Sequence, residues 1–316
     1  MTEPSRQELE AAHCWEPEDR VPGRPQMTAF RRRLRLHQAR WREAHGHPIG
    51  TQPIVPREGT ATRPVGSRLP LAYARETGAN FVTAEAIAAA TARASNPEPH
   101  QRFDHQRLWA DLLWSPTLAF NLFGDLTADL ALADRAVKTW WSDTPGTVCE
   151  IRFAHSPGRF DPTYLGSLRS FDAAFVLDLN DGTKGVIAID VNYHEYARPA
   201  IAKPAGRPLQ HKIARRSGIF APGAIDAADR TDLLVTSLEH LLLLSMLQHE
   251  SRRWSWGRYI VVYPAGNVDV AGVCSRYAEL LTEHSTFAVA TIESLLDTGA
   301  LPPERRTILR ERYIVD

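Results

Sequence analysis

The sequence predicts an α/β fold, a mixed sheet flanked by helices, and three observations carry it. Segments 147–154, 171–179 and 184–193 read as strands, rich in β-branched and aromatic residues and bounded by turn-forming ones. A tight turn around Asn180-Asp181-Gly182 joins the second to the third. The run 227–248 reads as a helix apolar on most sides and leads to a further strand at 258–264, as a buried crossover would.

The elements follow in chain order. Residues 1–26 are rich in Pro and Glu with weak periodicity, which predicts a loose N-terminal arm. Residues 28–45 have helical spacing, with Phe30, Leu34, Leu36 and Trp41 as an imperfect apolar stripe and arginines elsewhere. A solvated basic face on a core-packed helix is the expectation, and a nucleic-acid contact the alternative. Prolines and glycines from Pro48 to Pro70 predict an extended connection, and Thr83 caps a helix over 83–94 with Glu85 in its first turn. Together, 27–100 read as a helical N-terminal extension packed on a domain spanning 101–316. In that domain helices are expected at 104–115, at 116–123 ended by Gly124, and at 127–140, ahead of the three strands. A helix at 269–284 and a strand or helix at 286–297 follow the fourth strand, and no internal repeat is visible.

Composition excludes several function classes. Thirty-seven basic residues balance 37 acidic ones, so overall charge gives no argument for a nucleic-acid partner. The three cysteines, Cys14, Cys149 and Cys274, are too far apart for a CxxC metal site and support no disulfide framework. The N-terminus lacks the pattern of a secretory signal, and the most apolar run, 233–247, is too short to span a bilayer and is broken by Glu239 and His240. A soluble cytoplasmic protein is the expectation.

The chemistry centres on two carboxylates in apolar strands, Asp172 and Asp190, each costly there unless paired or bound to a cation. A three-residue turn with Gly182 left-handed sets Leu179 opposite Thr183, and counting back sets Asp172 opposite Asp190. A two-residue turn would put them on opposite faces. Convergent carboxylates suit a divalent metal. By alternation Asn192 and His194 share the face of Asp190, which makes His194 and its neighbour Glu195 accessory candidates, and Gln248, which ends the apolar helix near the sheet, is a third. From Tyr196 to Ile225 there is no acidic residue, while Arg198, Lys203, Arg207, His211, Lys212, Arg215 and Arg216 make a basic loop suited to a phosphate backbone. No phosphate-cradling GxxxxGK[ST], GxSxG elbow or HExxH occurs.

The element order, Asp172 on the second strand and Asp190-Val191-Asn192 on the third resemble the PD-(D/E)XK nuclease superfamily. More narrowly, the chain is similar to a bacterial group of restriction-type endonucleases with such domains. The carrying stretches are GSRLP at 66–70, GANFVT at 78–83, SPTLAFNLFGDL at 115–126, EIRFAHSPGRFDPTYLG at 150–166, SFDAAF at 170–175 and GVIAIDVNYHE at 185–195. The resemblance implies a restriction-endonuclease-like core of order αβββαβ. It also implies a metal-dependent endodeoxyribonuclease of restriction or defence type, hydrolysing DNA. Asp172 and Asp190 would hold Mg²⁺, or Mn²⁺ in its place, with the carbonyl of Val191 completing the coordination. DNA would be the partner, with no membrane involved and a homodimer left open. Two departures matter: Asn192 stands where the superfamily motif has lysine, and no acidic residue lies near Ala154. Lys184 and Lys203 are candidates for a substitute ammonium. The alternative is a degenerate nuclease fold that binds nucleic acid or a protein partner without cleavage.

Overall fold

The computed structural model describes residues 3–53 and 62–315. Helix α1 (Arg6–Ala11) and a single 3-10 turn (Pro17–Asp19) precede α2 (Pro25–Ala44), and an antiparallel pair, β1 (Gly50–Pro53) and β2 (Thr62–Val65), follows. Helices α3 (Leu71–Thr77), α4 (Ala84–Ser95), α5 (His105–Ala110), α6 (Ser115–Phe123) and α7 (Leu130–Trp140) lead into the main sheet. Its strands are β3 (Thr147–His155), β4 (Phe171–Asp178) and β5 (Lys184–Val191), then β6 (Trp254–Tyr263) and β7 (Phe287–Thr291). Helices α8 (Arg207–Ser217), α9 (Ala224–Ala228) and α10 (Leu234–Leu247) form the β5–β6 crossover, α11 (Val268–Ala278) the next one, and α12 (Ile292–Asp297) and α13 (Pro303–Tyr313) close the chain.

The five main strands lie in sequence order, β3 to β5 antiparallel and β5 to β7 parallel, a mixed sheet as expected. Both faces are covered because the central strands are apolar on both sides. One face sets Phe175, Leu177, Ile187 and Ile189 against α6 residues such as Phe120 and Phe123. The other sets Ala174, Val176, Val186 and Ala188 against Leu241–Leu244 of α10. The helix comes unusually close to the sheet over Gly257, where an added Cβ would sit 2.8 Å from Leu243 Cδ1.

Several expectations are corrected. Residues 3–26 are not a loose arm: Leu9 and Cys14 are buried, and Asp19, fully buried, binds Arg35 through two hydrogen bonds of 2.5 and 2.7 Å. Pro and Glu content hid this, because the ordering comes from a partner on α2. The basic face of α2 is not solvated, since Arg31, Arg35 and Arg42 are buried. Arg42 donates to the Gly66 and His47 carbonyls. The 196–225 loop contains α8, whose Leu209, Ile213 and Ala214 face the core and whose end is capped by left-handed Gly218 (φ +73°). Basic side chains in its last turn suit the negative pole of the helix. The expected 227–248 helix is broken between Ala228 and Leu234, and α13 was not foreseen. The extended connection before Pro70 forms β1 and β2, and its middle, 54–61, lies outside the described residues.

Candidate active site

The β4–β5 turn decides the geometry. Leu179 N–H donates to the Thr183 carbonyl at 3.1 Å, and Gly182 is left-handed (φ +79°), so the turn has three residues. Pairing then runs from Asp178–Lys184 to Ala173–Ile189, and one step further Asp172 faces Asp190. Both point to the α10 side of the sheet. Val191 N–H donates to Asp172 Oδ2 at 2.9 Å, and Asn192 Nδ2 to Asp190 Oδ2 at 2.9 Å. Parallel pairing with β6 fixes this strand end: Asp190 lies beside Val261, and Asn192 N–H donates to the Val262 carbonyl at 2.8 Å.

A third carboxylate meets them. Glu239, buried on α10, contacts Asp190 from above the sheet. Its other partners are Tyr259 Oη, donating at 3.0 Å, and Arg169 Nη1, donating at 3.2 Å. Burial, then the charge of Asp190, pushes both Asp172 and Glu239 well above the usual carboxylate range. The site is therefore short of positive charge. At the level of sequence Glu239 was visible only as an interruption of the apolar run. Its sign was there: a buried carboxylate in a helix apolar on every other side needs a partner.

Asp190 and Asn192 open onto a cavity of about 580 Å³ that Arg31, Arg68, Arg107 and Arg198 also line. Asp172 opens onto a second one, about 610 Å³, on the other side. The three acids thus sit between two openings. The first is walled by the N-terminal region: Arg31 donates to the His194 carbonyl, Gln38 to Tyr193 Oη at 2.9 Å, and Ser115 Oγ accepts from Tyr193 N–H at 2.9 Å.

A family model for the PD-(D/E)XK nuclease superfamily matches residues 25–315. The chain belongs to that superfamily. No curated protein and no solved structure matches it. Membership makes the mixed sheet that of a nuclease-superfamily fold.

Around this superfamily core the other candidate residues divide. His194 and Glu195 line the first cavity, but both are held by the protein. His194 Nε2 lies 3.3 Å from Asp19, and burial lowers its pKa to about 4, so it stays neutral. Glu195 accepts from Ser115 Oγ, and burial raises its pKa. Arg198 lines the cavity and lies over the Tyr196 ring, 4.4 Å from its centroid. Arg207 is committed to Asp226 and Asp229 at 3.2 and 3.0 Å, and His211 lies 3.3 Å from Asp226. Lys203 and Lys212 are exposed and outside the cavity. Arg215 and Arg216 end α8, whose following residues run beside Leu280–Thr282, at the opposite end of α11 from the cavity-lining Val270.

Two candidates are corrected outright. Gln248 does not reach the site: α10 runs antiparallel to its flanking strands, and nine residues beyond Glu239 put Gln248 about 13 Å further along the helix. There it donates to the Ile213 carbonyl at 2.9 Å. Lys184 is no substitute ammonium, since it starts β5, about 20 Å from Asp190, and pairs with Asp178. Near Ala154 a carboxylate does arrive, from Glu98 on another segment, which binds His155 Nδ1 at 2.7 Å and Ser156 N–H at 2.9 Å.

Among the described residues no group of three or more His, Cys, Asp or Glu side chains is arranged to hold a metal ion. Asp172 and Asp190 alone supply two hard oxygen ligands, which suits a cation that keeps several waters. No helix of the described residues is long and apolar enough to cross a membrane.

Proposed function

We propose that the protein is a divalent-cation-dependent endonuclease that hydrolyses DNA phosphodiester bonds. The observation that supports this is the convergence of Asp172, Asp190 and Glu239 with Arg169 as the opposing charge at Glu239. Asp172, Asp190 and the Val191 carbonyl would hold the cation, whose charge would relieve that repulsion. Mg²⁺ or Mn²⁺, when bound, supplies charge to the phosphoryl oxygen and acidifies water. The chain's own groups do the rest: Asn192 orients the attacking water through its amide, and Arg169 stands near the phosphate. Arg198 lies on the approach side. A restriction or defence role is the setting we propose for it, on the resemblance of the quoted stretches.

The test is nicking of plasmid and linear DNA by the purified protein with Mg²⁺ or Mn²⁺. Cleavage that disappears in Asp172→Ala and Asp190→Ala supports the reading. Absence of cleavage with either metal on every DNA form overturns it. One observation favours a second reading, a binding protein that does not cut: the Asn192 amide carries no charge and is already engaged with Asp190. Salt-sensitive DNA binding without cleavage would establish that one.

A further inference from the structure

The opening on the Asp172 side has a lining unlike that of the first cavity. Its walls carry three aromatic rings, Phe103, Trp114 and Phe160, together with His100 and Arg102, and Asp172 lies at its floor. None of these six residues lines the first cavity, and the two openings are linked only by the facing of Asp172 and Asp190. At about 610 Å³ the space falls within the range of pockets that enclose a small organic group.

The rim holds its rings out to solvent at a conformational cost. Phe160 is 52% exposed, and Leu168 on the same connection is 53% exposed, among the few large apolar side chains so placed. Phe160 has φ +60° and His100 has φ +62°, left-handed conformations that residues with a Cβ seldom adopt. The two rings meet edge to face, with centroids 5.6 Å apart. The Phe160 turn is fixed by its N–H donating to Ser167 at 2.9 Å. Behind it, Arg159 donates to Glu98 and to the Ala154 carbonyl, so the rim is braced rather than trailing. Such strain persists where the surroundings over-determine it, and it gathers at ligand-binding positions. Arg102, exposed at the mouth, pairs with no carboxylate among the described residues.

Exposed rings beside an unpaired guanidinium make a stacking platform for a nucleobase with a phosphate partner next to it. Bases inside a duplex already stack on one another, and their faces are closed to protein rings. A base that reaches Phe160 has left its stack. We infer that this groove receives an unstacked base of a single-stranded nucleic acid, so that the strand cut at Asp172 is single-stranded or frayed. The inference rests on the proposed phosphodiesterase reading and names its substrate class.

The experiment measures binding apart from cleavage. A single-stranded DNA of about 12 nucleotides carrying one 2-aminopurine is titrated with the protein in Ca²⁺ and compared with the same sequence as a blunt duplex. Expected is tighter binding of the single strand by about tenfold or more, with quenching of the 2-aminopurine as it stacks. Phe160→Ala should weaken single-strand binding about fivefold or more and remove the quenching, and Phe160→Trp should restore both. Arg102→Ala, a change at an exposed position, should lower the salt slope by about one. Equal or tighter duplex binding, or quenching unchanged in Phe160→Ala, overturns the inference. If the binding results hold and no strand is cut with Mg²⁺ or Mn²⁺, it is the phosphodiesterase reading that fails.

Discussion

Glu239 of α10 and Asp190 of β5 meet carboxyl to carboxyl, and Asp172 closes the group from β4. Without a cation this arrangement opposes folding. Burial and like charge raise the Asp172 and Glu239 pKa values, so the folded state binds more protons than the unfolded one above their ordinary values of 3.8 and 4.5. Stability therefore falls as pH rises through that region. Asp190→Asn should raise the melting temperature of the metal-free protein by a few degrees, on the order of 1 kcal/mol, with the gain growing toward neutral pH. Added Mg²⁺ should raise the wild-type melting temperature and leave the variant unmoved. Melting curves in chelator and in Mg²⁺ decide it, and a less stable Asp190→Asn protein would refute it.

In the proposed mechanism Asn192 stands at the position of the superfamily motif's lysine; Lys184 lies at the other end of β5, and Lys203 and Lys212 lie outside the cavity. A charge beside a developing phosphate transition state is commonly worth on the order of a hundredfold in rate. Asn192→Lys should therefore speed cleavage, and Asp190→Ala should abolish it in both backgrounds. Single-turnover rates are the measurement. A natural protein that cuts fast and is slowed by Asn192→Lys would mean that the mechanism has been mapped onto the wrong residue.

Arg198 separates contact with phosphate from bulk basicity. It lines the Asp190 cavity, whereas Arg215 and Arg216 end α8 away from it. Arg198→Ala should lower the slope of log affinity against log salt by about one, and Arg215→Ala with Arg216→Ala should leave it nearly unchanged. The reverse pattern would move the nucleic-acid path onto α8.

The Asp19–Arg35 pair turns the N-terminal segment into part of the site's wall. Asp19 is fully buried, and against the burial that would raise its pKa, Arg35 and His194 hold it well below the carboxylate range. Asp19→Ala leaves the Arg35 guanidinium buried without its carboxylate, which should cost about 3 kcal/mol. Chemical denaturation of the variant checks this. A loss under about 1 kcal/mol would mean that water replaces the pair, as it does for exposed ones.

What the sequence revealed follows from how local each signal is. The hairpin was legible and its register narrowed to two, and the left-handed Gly182 in a three-residue turn is what selects the one that sets Asp172 facing Asp190. The succession of strands and the apolar C-terminal part of the β5–β6 crossover were legible, whereas the break between Ala228 and Leu234 was not. Glu239, Arg169 and Tyr259 were not, because they come from three distant segments and meet only when α10 lies across the sheet. Arg31, Arg35 and Arg42 misled for a related reason: an arginine stripe reads as solvated until the carboxylates and carbonyls that bury it are in place. The order of residues 3–26 depends on those same partners.

Glu98 gives the acid limit of the fold. It gathers His155 Nδ1, Ser156 N–H and Arg159 from the β3 end and the strained rim that follows it, and Arg93 from the end of α4. Burial alone would raise its pKa, but the His155 contact, the Ser156 amide and the Arg93 charge outweigh it and bring the carboxyl from 4.5 down to about 2. The sign follows from that order. The unfolded chain takes up the proton first, so the contribution is complete above about pH 4.5 and is lost as pH falls toward 2. At full strength it amounts to at most about 3 kcal/mol. Glu98→Gln should destabilise the protein at neutral pH and remove part of the steepness of its acid unfolding. The measurement is unfolding free energy against pH for both proteins. Parallel curves would show that Glu98 titrates as an ordinary carboxyl and that the rim beside Asp172 is braced by something else.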